Sequence, residues 1–256
     1  MPKSLFRVAT FNANSIRSRM ELVRDLLAKH SPTVLCIQET KVVDELFPSA
    51  EFEAAGYSVI FRGQKSYNGV AIASIMPIEH ISGDFDPDGC KGEARFIACS
   101  VCGIRILNTY VIQGNSIDSP KYAAKLEWYK KFRDYLDDRF NATRPLIWAG
   151  DLNIAPEPID VHNPASVKNH VCFYADAQEA YRDALAFGFK DVFRKHNPGE
   201  GHFTFWDYRV PKSLERNLGW RIDHILATPP LADHCFASGI DREARAAEKP
   251  SDHTLL

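Results

Sequence analysis

The chain has 256 residues, of which 45% are hydrophobic and 25% are charged. That balance belongs to a folded globular chain and excludes disorder, collagen and coiled coil as the main architecture. Lys and Arg number 31 against 33 Asp and Glu, a net charge of −2, so bulk charge does not announce nucleic acid and local clusters of base would have to hold it.

The N-terminal MPKSLFRVATFNANS lacks an apolar core of signal-peptide length. The longest apolar runs, Thr33 to Ile37 and Leu146 to Ala149, are strand-sized and far short of the ~20 residues that span a bilayer. No membrane partner is expected. The cytoplasm is the expected compartment, with the six cysteines as reduced thiols. Phe6 to Phe11 alternates as a strand. Arg19 to Lys29 carries Met20, Val23, Leu26 and Leu27 at helical spacing, and Pro32 stops it. Val34 to Gln38 reads as a buried strand. Tyr57 to Phe61 and Gly69 to Ser74 read as strands joined by a turn with Gly and Asn.

Phe96 to Val101 and Ile104 to Val111 form a predicted hairpin turning at Gly103. Cys99 and Cys102 make a C-x-x-C, but no second pair follows, so they read as two cysteines of an alternating strand region rather than a metal or redox pair. Tyr122 to Phe140 is the strongest helix, with Leu126, Tyr129, Phe132, Tyr135 and Leu136 on one stripe. Leu146 to Ala149 is a further buried strand, Asp176 to Leu185 a helix, and Arg221 to Ala227 a strand before Pro229-Pro230. Short, mostly hairpin-linked strands with interspersed helices predict one α/β domain of packed sheets over residues 1–256, not a doubly wound parallel sheet. The apolar run after Ser251 stops where a strand is expected to begin, so the final strand is expected to be truncated.

Polar groups cluster at the ends of the apolar strands: Asn12 in TFNANS, Glu39 in LCIQET, Asp151 and Asn153 in LIWAGDLN, Asp223 in RIDHIL, and Asp252-His253 in PSDH. Singly, each fits a turn or a helix cap. Five such sites are harder to explain that way, because carboxylates beside buried strands are costly unless paired or bound to a cation. Oxygen donors from Glu39 and Asp252, with Asn12 near, suit Mg²⁺, with Mn²⁺ as the alternative; the cysteines do not form a zinc cluster. The chemistry that follows is attack of water on a phosphate ester. His253 titrates near neutrality and needs a carboxylate to fix its tautomer, for which Asp223 is the candidate. Asp151 is the candidate to orient or deprotonate the water, and Asn153 to hold the phosphate or the water. Spacing alone does not bring these residues together.

The same motifs, with GYSVIFRGQKSYNGVAI, YVIQG, GDLNIAPEPIDVHNP, FTFWDYR and GWRIDHIL, run in order over almost the whole chain. In that set the chain resembles the exonuclease III family of apurinic/apyrimidinic endonucleases, within the endonuclease/exonuclease/phosphatase superfamily. The resemblance implies a four-layer α/β sandwich, two mixed sheets flanked by helices, with the active site at one rim. It implies Glu39 as the principal metal-ligating carboxylate with Asn12 and Asp252 close by, Asp151 activating water or protonating the leaving group with Asn153 as its partner, His253 on the phosphate oriented by Asp223, and Tyr110 beside the scissile phosphate. Phe205, Trp220 and Ile222 match positions lining an abasic-sugar pocket, which admits a flipped deoxyribose and excludes a base by size. Arg17, Gln113 and Asn163 match DNA-backbone contacts, and Arg19, Lys41, Lys65, Arg209 and Arg221 are further bases for the backbone. The implied partner is double-stranded DNA with abasic sites or blocked 3′ ends, engaged by a monomer.

Two departures stand out: Ile112 replaces the family's common Pro in YVIQG, and Ser166 to Tyr174 matches poorly. The redox-regulatory tail of the vertebrate enzymes is expected to be absent, which makes the compact form look bacterial or archaeal. Two other functions compete. One is a phosphoesterase of the same superfamily on a non-DNA substrate, against which FTFWDYR and GWRID argue. The other is a binding-only regulator, against which the full set of site residues argues.

Overall fold

Alternation along each strand sends neighbouring side chains to opposite faces, and in this chain both faces are apolar over most of their length. The computed structural model describes residues 5–85 and 92–256. Cys90 lies outside the described residues; the other five cysteines are unpaired with one another.

The chain begins with β1 (Val8–Asn12), a 3-10 turn at Arg17–Arg19, α1 (Met20–His30) and β2 (Val34–Gln38). There follow α2 (Ser49–Ala54), β3 (Ser58–Arg62), β4 (Val70–Ser74) and β5 (Ile78–Ser82). Next come β6 (Phe96–Val101), β7 (Ile104–Tyr110), α3 (Pro120–Arg139) and β8 (Leu146–Asp151). Then α4 (Pro164–Val167), α5 (Ala175–Leu185), β9 (Lys190–Asp191) and α6 (Val192–His196) lead to β10 (Asp223–Ala227), α7 (Pro229–Ala232) and α8 (Arg242–Arg245).

The strands form a four-stranded sheet in the order β1-β2-β4-β3 and a six-stranded sheet in the order β5-β6-β7-β8-β10-β9. Among the described residues, β1–β2 and β7–β8 are the parallel pairs and the rest are antiparallel, so both sheets are mixed. The inner faces meet through Val34, Cys36, Val70, Ile72, Ile97, Cys99, Ile106, Ile147, Ala149 and Ile225. Leu35, Ile37 and Ala71 on the outer face of the smaller sheet pack with Val23, Leu26 and Leu27 of α1 and Phe52 of α2. Leu107, Leu146, Trp148 and Leu226 on the outer face of the larger sheet pack with Trp128, Tyr129 and Phe132 of α3 and Tyr181 of α5. Helix, sheet, sheet and helix are therefore stacked in four layers, as the sequence motifs imply.

The β6–β7 hairpin turns at Cys102-Gly103, with φ of 50° and 76°, the paired left-handed residues that suit a two-residue turn. Cys99 faces the core between the sheets while Cys102 is exposed at the tip, so the C-x-x-C spans a strand and its turn. Gly150 is required by its neighbour: φ is 142° and a Cβ would stand 2.0 Å from the Thr109 carbonyl oxygen on β7. The segment after Ser251 lies along the free edge of β1, where Thr10 and Leu256 exchange backbone hydrogen bonds of 2.9 and 3.1 Å.

Candidate active site

On the inter-sheet faces of β1, β2, β7, β8 and β10 the apolar residues give way to polar ones at the rim end. In steps of two, β8 runs Ile147, Ala149, Asp151; β10, read backwards, runs Ala227, Ile225, Asp223; β7 runs Ile106, Asn108, Tyr110. The register places Tyr110 opposite Asp151 and Asp151 opposite Asp223, so three functional side chains stand abreast on adjacent strands. From the smaller sheet, Asn12 pairs with Gln38, and Glu39 follows at once. Glu39 and Asn153 both have φ near 50°. The left-handed region is unfavourable for such residues and recurs where a site needs a side chain re-aimed at a strand end.

His253 comes from the C-terminal segment. A bridge to Phe205 and a Trp206 N–H to Asp252 carbonyl bond of 2.8 Å dock that segment, and Ser251 Oγ donates to the Asn12 carbonyl at 2.7 Å. Asn12 Nδ2 donates to Glu39 Oε1 at 2.8 Å and to Asp151 Oδ2 at 2.9 Å, while its amide oxygen accepts from the Asn14 N–H. The amide nitrogen of Asn12 thus spans the two acids from the two sheets. His253 Nδ1 meets Asp223 Oδ2 at 2.8 Å, and Nε2 lies 3.8 Å from Asp151 Oδ2.

The electrostatics follow from burial and proximity. Burial, reinforced by the charges of Asp223 and Glu39, raises the Asp151 pKa well above the ordinary carboxylate range. Burial works against a charged His253, yet the carboxylates of Asp223 and Asp151 outweigh it and hold the imidazolium protonated above the usual range. Burial also works against the Glu39 carboxylate, but the ammonium of Lys41, 2.7 Å away, brings its pKa below the ordinary value. Burial and the neighbouring acids raise the Tyr110 hydroxyl, which therefore remains a donor, and the Arg95 guanidinium packs 4.8 Å from its ring centroid.

Glu39, Asp151 and His253 each place a ligand-type atom within 4.8 Å of the others. Asp223 Oδ1 is buried without a hydrogen-bond partner. Carboxylate oxygens from separate segments converge here, and such oxygens are what a hard divalent cation suits. Asp252 stands beside this cluster, its Oδ1 accepting from Asn14 Nδ2 at 2.8 Å.

These groups floor a cleft of about 530 Å³ whose lining includes Glu39, Tyr110, Gln113, Asp151, Asn153, Asp252 and His253. Phe205, Trp220 and Ile222 form its apolar side. His170 lies against Trp220 with ring centroids 4.5 Å apart. It belongs to the segment that departs from the family pattern. Ile112, the other departure, is buried in the outer core against α3. Arg17 is exposed on the 3-10 turn, and Asn163 caps α4 through its side chain, accepting from the Ser166 N–H; neither is among the cleft-lining residues.

One reading from sequence is corrected. Arg221 is not a base for the DNA backbone: it is 1% exposed and pairs with Asp160 at 2.6 Å and Asp191 at 2.8 Å. Two features were missed. Lys125 of α3 is fully buried and donates to the carbonyls of Gln113, Asn153 and Val171 at 3.2, 2.7 and 2.6 Å. Asn14 accepts from Lys41 Nζ at 2.6 Å and so links Lys41 to Asp252. The only sequence signal for Lys125 was its place one residue before Leu126 on the apolar stripe of α3.

Comparison with known proteins agrees with this geometry. A profile described as the Endonuclease/Exonuclease/phosphatase family matches residues 9–253. The chain is 33% identical over 259 residues to exodeoxyribonuclease III of Haemophilus influenzae, covering 96% of this chain and 97% of that protein. A solved AP endonuclease from Archaeoglobus fulgidus matches with a TM-score of 0.95 and 49% identity, over 98% of this chain and 97% of that one. A Neisseria 3′ phosphatase solved with a product DNA hairpin matches with a TM-score of 0.92 and 33% identity, over 98% of this chain and 97% of that one.

Proposed function

This chain belongs to the endonuclease/exonuclease/phosphatase family, in its exodeoxyribonuclease III and AP endonuclease branch, and from that premise we propose that it is a Mg²⁺-dependent DNA repair nuclease. It hydrolyses the phosphodiester 5′ to an abasic site and removes nucleotides or phosphate from 3′ ends of duplex DNA. The observation that carries this reading is the juxtaposition, in one cleft, of Asp151 and His253, the latter backed by buried Asp223, with the apolar wall of Phe205, Trp220 and Ile222. A hydrolytic centre beside an apolar slot suits a phosphodiester attached to a sugar that has lost its base.

Glu39, with Asn12 and Asp252 close by, would hold the cation. When bound, the cation neutralises the acidic floor where a phosphate must arrive and polarises the phosphoryl group; Mn²⁺ fits the same oxygens. The remaining work falls to the side chains. Asp151, with its raised pKa, orients the attacking water and accepts its proton. The Asn153 backbone N–H holds Asp151 Oδ1 at 2.9 Å, and the Asn153 amide donates to the Val111 carbonyl at 2.9 Å, leaving its second amide hydrogen for a phosphate oxygen. His253, kept cationic by Asp223, offers positive charge to a non-bridging oxygen, and the Tyr110 hydroxyl donates beside it. Gln113, Asn163 and Arg17 contact the DNA backbone on either side.

A duplex carrying an abasic analogue tests the proposal, with an undamaged recessed 3′ end and a 3′-phosphate nick run beside it. Incision 5′ to the analogue, leaving a 3′-hydroxyl, is expected with Mg²⁺ and not with EDTA. Absence of metal-dependent incision at micromolar enzyme would overturn it.

A further inference from the structure

The reacting groups come from two sheets. Asn12 and Glu39 stand on the smaller one, and Tyr110, Asp151 and Asp223 on the larger. Such groups must be held to within about 0.5 Å to act together, yet the sheets meet mainly through apolar side chains, whose attraction is non-directional. Just below the site this changes. Thr10 on β1, Gln38 on β2 and Asn108 on β7 are fully buried on the inter-sheet faces. Gln38 Nε2 donates to Asn108 Oδ1 at 2.7 Å and to Thr10 Oγ1 at 3.0 Å. Asn108 Nδ2 crosses to the smaller sheet, donating to the Ile37 carbonyl at 3.0 Å and the Ala71 carbonyl at 2.8 Å.

Each member precedes a site residue: Thr10 is two before Asn12, Gln38 one before Glu39, and Asn108 two before Tyr110. In a strand, two residues apart means the same face, one pleat further along. Well-packed apolar residues would serve stability here equally well, so the polar bridge needs another explanation. Amide hydrogen bonds are short and directional, and they resist sliding where methyl groups tolerate it.

We infer that Thr10, Gln38 and Asn108 form a positioning bridge that locks the two sheets in register and so sets the distance between the Glu39 and Asp151 halves of the active site. This rests on the nuclease reading above. Asn108 touches no substrate; it acts through the backbone of β2 and β4 and through Gln38.

The test pairs N108L with Q38L, which removes both members of the cross-sheet amide pair and takes a donor from the Ile37 and Ala71 carbonyls and the Thr10 hydroxyl. In the abasic-duplex assay the double variant is expected to melt several degrees below the native protein and to be folded at the assay temperature. Its kcat is expected to fall by about tenfold to a hundredfold, the cost of a misplacement near 1 Å, with KM nearly unchanged. An unchanged kcat, or a loss confined to KM, overturns the inference. If the double variant does not fold, Thr10→Val decides, because it keeps the side-chain shape and removes the Thr10–Gln38 contact. A kcat lowered about threefold or more at native melting temperature supports the bridge, and a native kcat refutes it. Should the native protein cleave none of the duplexes, the nuclease reading fails by itself. The bridge is then read from amide hydrogen exchange: faster exchange at Thr40 and Val111 in Thr10→Val supports it, and native rates overturn it.

Discussion

At Asp151, burial and two neighbouring acids all favour the protonated form, while His253 opposes them. A carboxyl poised in this way sits nearer neutrality than a surface aspartate and suits proton transfer at working pH. Asp151→Asn keeps the shape and one of the two hydrogen bonds, from Asn12 or from the Asn153 N–H, but removes the base. Cleavage of the abasic duplex is expected to fall by about a thousandfold or more, with DNA affinity within a few-fold of native. Single-turnover rates and equilibrium binding in EDTA would separate the two, and a native rate would show that another group carries the proton. The types and order of Asn12, Glu39, Asp151, Asp223 and His253 were visible in the sequence. Their bonding was not: that Asn12 spans Glu39 and Asp151 through its amide nitrogen depends on two sheets meeting at one rim.

At the scale of elements, α3 does more than cover the larger sheet. Its Lys125 ammonium ties together the loop after β7, the loop after β8 and the segment before α5, through one carbonyl of each. Burial lowers the Lys125 pKa, and the neighbouring Cys172 and Asp151 oppose it only in part. Lys125→Met is expected to cost about 2–4 kcal/mol of stability, because three buried carbonyls lose their donor, and to lower cleavage as the Gln113 and Asn153 loops loosen. Urea denaturation measures the first effect. A native midpoint would mean that the carbonyls find other partners.

Strongly periodic elements were legible in the sequence: α1, β2, α3 and β8 lie where their apolar spacing predicts, within a few residues. The edge strand β5 was not legible. It is largely exposed and carries a register shift between Glu79 and Ser82, so neither burial nor alternation marks it. Two-residue β9 and four-residue α7 and α8 exist only because neighbouring elements hold them.

Over the whole molecule, the net charge of −2 conceals how charge is placed. One set of acids gathers at the rim, while Asp160 and Asp191 pair inside with Arg221, and Arg194 is bonded to Asp160 as well. Burial opposes the charge on Asp160 and Asp191, but the guanidinium of Arg221 overrides it and holds both carboxyls below the ordinary range. Depressed carboxyl pKa values contribute stability that is complete above about pH 4 and is lost as pH falls toward their folded values. The urea midpoint should therefore drop as pH falls below about 4, and drop less steeply in Asp160→Asn. Equal slopes in the two proteins would remove Asp160 from the account.

The sequence alone determined the chemistry available and the layers that carry it. Period-two apolar strands ending in Asp, Asn and Glu encode a buried sheet with a polar rim, since side-chain direction and burial are local properties of a strand. Which rim groups meet was decided only in three dimensions. Arg221 and Lys125 show why: each is a cation in a stretch of chain that reads as surface or stripe, and each is buried because oxygens from two or three distant segments converge on it. A charge is desolvated or exposed according to partners that no local pattern contains. The same holds for the distance between Glu39 and Asp151, set by how two sheets pack and not by the residues that separate them along the chain.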